Sequence, residues 1–262
     1  MRRRERIWTT VLVAGLTVVC ACYLYRWGGN YYIPSHAPLT YSVSHHQDDT
    51  LRIAYIGDSW AFLHHRHHCG IDSLIFDSLH IPTKVVSAGA SGAPSKIILE
   101  RMGADGGIRK ALDEGPDYCI ISAGINDANL KLGKDYYAQH LRLMIRFLLR
   151  NHITPVIIEI PDIDLRRQYE QTRFPRQLVR RWSMMVTGCS MDCQEELRQA
   201  FDMMLQEEQL QDKVLVLRKA DWETADWKYY EEDRLHPNSW GYAVMDTCLS
   251  RLIINHLQHS RK

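Results

Sequence analysis

LRIAYIGDSW, residues 51–60, decides the fold of this chain. Its near-continuous apolar run stops at Gly57-Asp58-Ser59, which reads as a buried β-strand ending in a tight turn that glycine permits. The serine then opens the next element, so a hydroxyl stands at the carboxyl end of the strand. Two readings meet there: a helix cap and a nucleophile.

Downstream, four further short apolar runs follow: TKVVSAG (83–89), YCIISAG (118–124), TPVIIEIP (154–161) and KVLVLRK (213–219). Longer amphipathic stretches such as DYYAQHLRLMIRFLLRNH (135–152) separate them. Five Val/Ile-rich strands alternating with helical segments predict an α/β fold with a parallel sheet covered on both faces. In such a sheet ligands bind beyond the carboxyl ends of the strands, where the strand order reverses. Chemistry is therefore expected in the residues immediately after the strands.

Those residues form four pieces. Gly57-Asp58-Ser59 follows the first strand, and Ser87-Ala88-Gly89-Ala90-Ser91-Gly92 closes the second. Gly124-Ile125-Asn126-Asp127 follows the third, and Asp233-Arg234-Leu235-His236-Pro237-Asn238 lies past the fifth, before an apolar helix beginning near Ser239. Each short motif alone is weak; Asp77-Ser78-Leu79-His80 repeats the Asp-x-x-His spacing. That copy is expected at the amino edge of the sheet, so only His236 is placed to meet Ser59. A serine needs a base within hydrogen-bond reach, and the base needs a carboxylate on its other nitrogen. His236 and Asp233 supply these. An oxyanion needs donors placed in advance, for which the Ser59 N–H, the Gly92 N–H and the Asn126 amide are candidates.

Gly57-Asp58-Ser59-Trp60, the Gly92 loop, Gly124-Ile125-Asn126-Asp127 and Asp233-x-x-His236 resemble, in order over residues 51 to 258, the four signature blocks of the SGNH hydrolases, or GDSL-type esterases and lipases. The resemblance implies a flavodoxin-like three-layer α/β/α sandwich with a five-stranded parallel sheet, and a Ser-His-Asp ester hydrolase using neither metal nor cofactor. By it Ser59 is the nucleophile, His236 the base and Asp233 the orienting carboxylate, with Ser59, Gly92 and Asn126 forming the oxyanion hole. Trp60 replaces the common leucine, a change expected to matter little. Gly89 competes with Gly92 for the second block, and Asp58 is expected to be a structural hydrogen bonder in the turn.

Upstream, MRRRER precedes IWTTVLVAGLTVVCACYLY (7–25), which carries no charge and spans about 28 Å as a helix, close to a bilayer's hydrocarbon thickness. Arginines 2, 3, 4 and 6 stand before it and only Arg26 directly after, so the positive-inside bias exports the remainder. A cleaved signal peptide competes with the uncleaved anchor, and Val19-Cys20-Ala21-Cys22 loosely resembles a lipoprotein processing site. Both readings place the catalytic part outside the cytoplasm. Residues 1–27 are thus anchor or signal, the aperiodic 28–50 a tether and 51–262 the hydrolase domain.

With Lys+Arg 32 against Asp+Glu 31 the formal charge is +1, which offers no field for nucleic acid. His64-His65-Arg66-His67-His68-Cys69 carries zinc-type ligands, but no acidic partner or second ligand pair accompanies it, so a polar rim near the nucleophile is expected instead. Cys189 and Cys193 read as a bridge or as free buried thiols. Arg166, Arg167, Arg173, Arg176, Arg180 and Arg181 form a solvated face or a contact for anionic glycan or lipid headgroups. Trp222, Trp227, Tyr229 and Tyr230 wall a pocket or pack a long loop. The expected substrate is a small acyl ester, acetyl first, on a carbohydrate or lipid. The rivals are an O-acyltransferase using the same triad and a non-catalytic glycan-binding module. The oligomeric state is left open.

Overall fold

The structure, a computed structural model, describes residues 3–25, 39–67, 70–222 and 226–260. The chain divides into two compact units, residues 1–35 and 36–262. In the first, α1 (Arg3–Tyr25) contains a 20-residue segment, Arg4–Tyr23, of mean hydropathy 1.6.

In the second unit the elements run β1 (Leu51–Gly57), α2 (Ser59–His64), α3 (Ile71–Leu79), β2 (Thr83–Gly89), α4 (Ser95–Gly103), α5 (Gly107–Asp113), β3 (Tyr118–Ser122), α6 (Ile125–Leu130) and α7 (Lys134–Arg150). They continue with β4 (Thr154–Ile158), α8 (Leu165–Glu170), α9 (Phe174–Thr187), α10 (Gln194–Glu207), β5 (Leu215–Leu217) and α11 (Ser239–Ser260). The five strands are parallel in the order β2-β1-β3-β4-β5. Helices α4, α5, α7 and α10 pack in one layer, and α3 and α11 pack together in the other. This is the three-layer α/β sandwich expected, with its core on β1 and β3, whose residues are buried almost throughout because both faces are covered.

The order reverses beside β1, and the register fixes what gathers there. Gly57 pairs with Gly89 on one side and with Ser122 on the other, so the first three strands end at one level. The residues that follow them share one edge of the sheet.

Residues 28–50 read as a tether, and 28–38 lie outside the described residues. The remainder, 39–50, lies on the domain. Leu39 and Val43 are buried, the Val43 N–H donates to Asn151 Oδ1 at 2.8 Å, and the Tyr41 hydroxyl donates to the Met102 carbonyl at 2.7 Å. Apolar residues every second position let this segment add to the core without regular structure of its own.

Candidate active site

Gly57 has a φ of +153°, and a Cβ there would come within 2.2 Å of the Ser122 carbonyl oxygen. Only glycine lets β1 turn so close to β3. Asp58 then caps α2, accepting the Trp60 N–H on Oδ1 at 3.0 Å. Ser59 is the first residue of α2, where backbone N–H groups lack helical partners and the helix dipole favours negative charge.

The His236 ring spans the gap between Ser59 and Asp233. Its Nε2 lies 2.9 Å from Ser59 Oγ, and its Nδ1 lies 2.6 Å from Asp233 Oδ2. Asp233 Oδ1 accepts the N–H groups of Leu235 at 2.9 Å and His236 at 3.0 Å. Partial burial by itself would raise the Asp233 carboxyl, but the bonds from the His236 amide, the His236 ring and the Leu235 amide hold it below the usual carboxylate range. The carboxylate is thus locked to its own loop while the ring reaches the serine.

The two candidate glycines separate by geometry. A Cβ on Gly89 would lie 2.3 Å from the Asp58 oxygen and the Phe62 nitrogen, so this glycine serves the close approach of α2 to β2. Gly92 has a φ of +72° with open space around it. Asn126 stands in the first turn of α6 and is buried; its Nδ2 donates to the Ala93 carbonyl at 3.2 Å, joining the α6 turn to the Gly92 loop. Beside it, buried Asp127 Oδ2 accepts the Ser95 N–H at 2.9 Å, and burial pushes this carboxyl up to about 6.

Other expected residues lie elsewhere. His64, read as part of a rim near the nucleophile, is fully buried: its Nδ1 lies 2.9 Å from Ser87 Oγ and its Nε2 lies 2.7 Å from Asp246 Oδ1. A six-residue helix starting at Ser59 turns its far end inward, which the local run of histidines does not reveal. His67 stacks on Tyr242 at 4.9 Å, and His68 and Cys69 lie outside the described residues. Among the described residues no group of three or more His, Cys, Asp or Glu is placed to hold a metal ion. Cys189 and Cys193 are buried free thiols. Trp222 and Tyr230 are buried packing residues, whereas Trp227 is half exposed beneath the Arg234 guanidinium at 5.2 Å.

Two residues carry more than their sequence signal suggests. Trp60 is fully buried, its Nε1 donates to the Leu235 carbonyl at 3.1 Å, and its ring meets Trp222 edge-on at 5.7 Å. It fastens the serine turn to the histidine loop across 175 residues of chain. Asp58 is also fully buried; Oδ1 accepts the Ser122 hydroxyl at 3.2 Å, Oδ2 finds no partner among the described residues, and burial pushes the carboxyl from 3.8 up to about 7. A large side chain directly after the serine was the only available hint of the first; the turn marked the second as a structural hydrogen bonder, as found, but did not reveal its burial.

Residues 55–244 match the model of the GDSL-like lipase/acylhydrolase family. No curated protein matches the chain. Among solved structures the chain is similar to a lipase/acylhydrolase from Enterococcus faecalis, at 18% identity over 79% of this chain and 96% of that one, with a TM-score of 0.54. It is similar to the psychrotrophic esterase EstA from Pseudoalteromonas sp. at 14% identity, covering 80% and 100%, with a TM-score of 0.53. It is also similar to Axe2, an acetylxylan esterase from Geobacillus stearothermophilus, at 17% identity, covering 78% and 94%, with a TM-score of 0.51.

Proposed function

The chain belongs to the GDSL-like lipase/acylhydrolase family, and from that premise we propose that it is a serine ester hydrolase removing small acyl groups, acetyl first, from a carbohydrate or lipid. The observation that carries this reading is the continuous relay from Ser59 through His236 to Asp233, at 2.9 and 2.6 Å, beyond the carboxyl ends of the strands. The acetylxylan ester cleaved by one structural neighbour supports the acetyl preference.

In the proposed reaction the Ser59 hydroxyl donates its proton to His236 Nε2 as Oγ bonds to the ester carbonyl carbon. Asp233 holds the ring through Nδ1–H and stabilises the imidazolium. The Ser59 N–H, the Gly92 N–H and the second Nδ2 hydrogen of Asn126 receive the oxyanion. His236 then returns the proton to the leaving alcohol, and water repeats the sequence on the acyl-enzyme. Helix α1 acts as a membrane anchor, with residues 39–262 on the extracytoplasmic side, because arginines cluster before the span.

The test is release of p-nitrophenol from acetyl and octanoyl esters by the full chain in detergent, beside Ser59→Ala and His236→Ala. Each variant is expected to lower kcat by about 10⁴-fold or more, with the acetyl ester preferred by the wild type. Equal residual turnover in wild type and variants would sink the serine mechanism.

A further inference from the structure

Helix α9 inverts the usual orientation of a surface helix. A soluble amphipathic helix turns its apolar stripe to the core and its polar stripe to water. Along α9 the only buried residue is Ser183, whose hydroxyl donates back to the Val179 carbonyl at 3.0 Å. On the opposite side Phe174, Leu178 and Met185 are 69%, 50% and 77% exposed. At 3.6 residues per turn these three lie within about 40° of one another, so they form one outward ridge.

Of the nearby cations only Arg181 borders the ridge; by the same period Arg173 lies about 120° from its centre, and Arg180 and Arg176 about 140° and 180° away. Residues 171–191 contain Arg173, Arg176, Arg180 and Arg181 and no acidic residue. Arg173, Arg176 and Arg181 are exposed, and among the described residues neither Arg173 nor Arg176 forms an ion pair. An exposed apolar ridge on a segment that carries four arginines and no acidic residue fits a partner that is anionic at its surface and apolar beneath. A second copy would bring the same arginines against one another across an isologous contact. A glycan offers nothing to bury Phe174, Leu178 and Met185. A phospholipid headgroup layer meets both requirements.

We propose that α9 lies in the headgroup layer of an anionic phospholipid bilayer, with Phe174, Leu178 and Met185 inserted, Arg181 and Arg173 beside the phosphates, and Arg176 and Arg180 adding positive charge within the screening length of the surface. Only 13 residues separate α1 from Leu39, at most about 45 Å of extended chain, which keeps the domain within reach of the bilayer that α1 spans. This part rests on the anchor reading above and not on the esterase reading. The contact would also reach the candidate site. Gln177 of α9 donates to the Tyr169 carbonyl at 3.3 Å, and Gln168 of α8 donates to the Asp233 carbonyl at 2.9 Å. A bilayer-held α9 therefore sets the Asp233–His236 loop near the lipid surface, where esters of membrane-linked alcohols are concentrated.

The test uses the full chain in nanodiscs of phosphatidylcholine alone and of phosphatidylcholine with a third phosphatidylglycerol, followed by amide hydrogen exchange across residues 174–187. Each arginine near such a surface contributes about 1 kcal/mol, or about fivefold, so exchange is expected to slow at least about tenfold in the anionic discs. High salt and the Arg173→Glu/Arg176→Glu variant should restore fast exchange. Phe174→Ser/Leu178→Ser should do the same, with exchange in β1 and β3 unchanged as the control for folding. Equal exchange in the two lipid compositions, or protection that survives the charge reversal, would overturn the proposal. The readout is position rather than turnover, so an inactive protein with a protected α9 would count against the esterase reading alone.

Discussion

The six residues of α2 join two Ser-His-Asp relays at their opposite ends. At its start Ser59 meets His236 and Asp233; at its end His64 meets Ser87 and Asp246 at nearly the same distances. The side chains of His236 and Asp233 are 24% and 45% exposed, whereas those of His64 and Asp246 are 0% and 3% exposed. The first serine sits at a helix N-terminus beside the Gly92 and Asn126 turns. The second sits within β2, its histidine packed against Tyr55 at 4.5 Å and Tyr242 at 5.6 Å. Asp246 spends its other oxygen on the Gly70 N–H at 2.9 Å. Identical residue types thus stand in two settings: at the edge of the sheet the group is partly open to solvent, as the proposed acyl transfer requires, and in the interior it is a clamp tying α2, β2 and α11 together.

Three substitutions probe that difference. Against the loss of about 10⁴-fold expected for Ser59→Ala, Asp246→Ala should leave kcat/KM of the folded protein within about tenfold of wild type. It should instead lower unfolding stability by about 3 kcal/mol, because it leaves the buried His64 without its partner. A urea titration beside the esterase assay distinguishes these outcomes, and comparable loss of turnover in both variants would break the contrast.

Asp58, capping the helix between the relays, gives a pH signature. Burial raises its carboxyl to about 7, so the folded state binds the proton more tightly than the unfolded chain does. The associated stability is present below the unfolded value of 3.8 and is lost as pH rises through about 7. Asp58→Asn keeps the cap and removes the ionisation. It should raise stability relative to wild type by about 2 kcal/mol at pH 8 and by little at pH 4. Thermal melts at the two pH values check this, and a pH-independent difference would refute the assignment.

The smallest effect is expected at Trp60. Trp60→Phe retains most of the packing but removes the bond to the Leu235 carbonyl, worth about 1 kcal/mol. If that bond positions His236, kcat should fall about fivefold with KM unchanged, while the His64 clamp and its contribution to stability persist. A KM effect without a kcat effect would make Trp60 a packing residue only.

Much of the candidate site was legible because parallel strands buried on both faces must be near-continuous apolar runs, and the residues after them must lie at one edge. LRIAYIG, TKVVSAG and YCIISAG therefore announced both the sheet and the location of Gly57, Gly92 and Asn126. The spacing of Asp233 and His236 was legible because three residues allow the carboxylate to hold both the loop amides and the ring. Trp60 was not, since its partner lies 175 residues away and no local period records such a contact. Nor was the packing of Leu39 and Val43 on the domain, because the alternation of Leu39, Tyr41 and Val43 is too short to stand out beside the Gly, Pro and Ser of the same segment.

By itself, then, the amino-acid sequence determined the strand and helix alternation, the order of the chemical pieces and their common edge, since these follow from local apolar pattern and the geometry of parallel sheets. Tertiary structure alone decided that His64 is sealed against Asp246, that Gly89 serves packing while Gly92 stands clear, and that α9 shows its apolar side outward. Those outcomes depend on which surfaces distant segments cover, and coverage is a property of the assembled chain, not of any stretch within it.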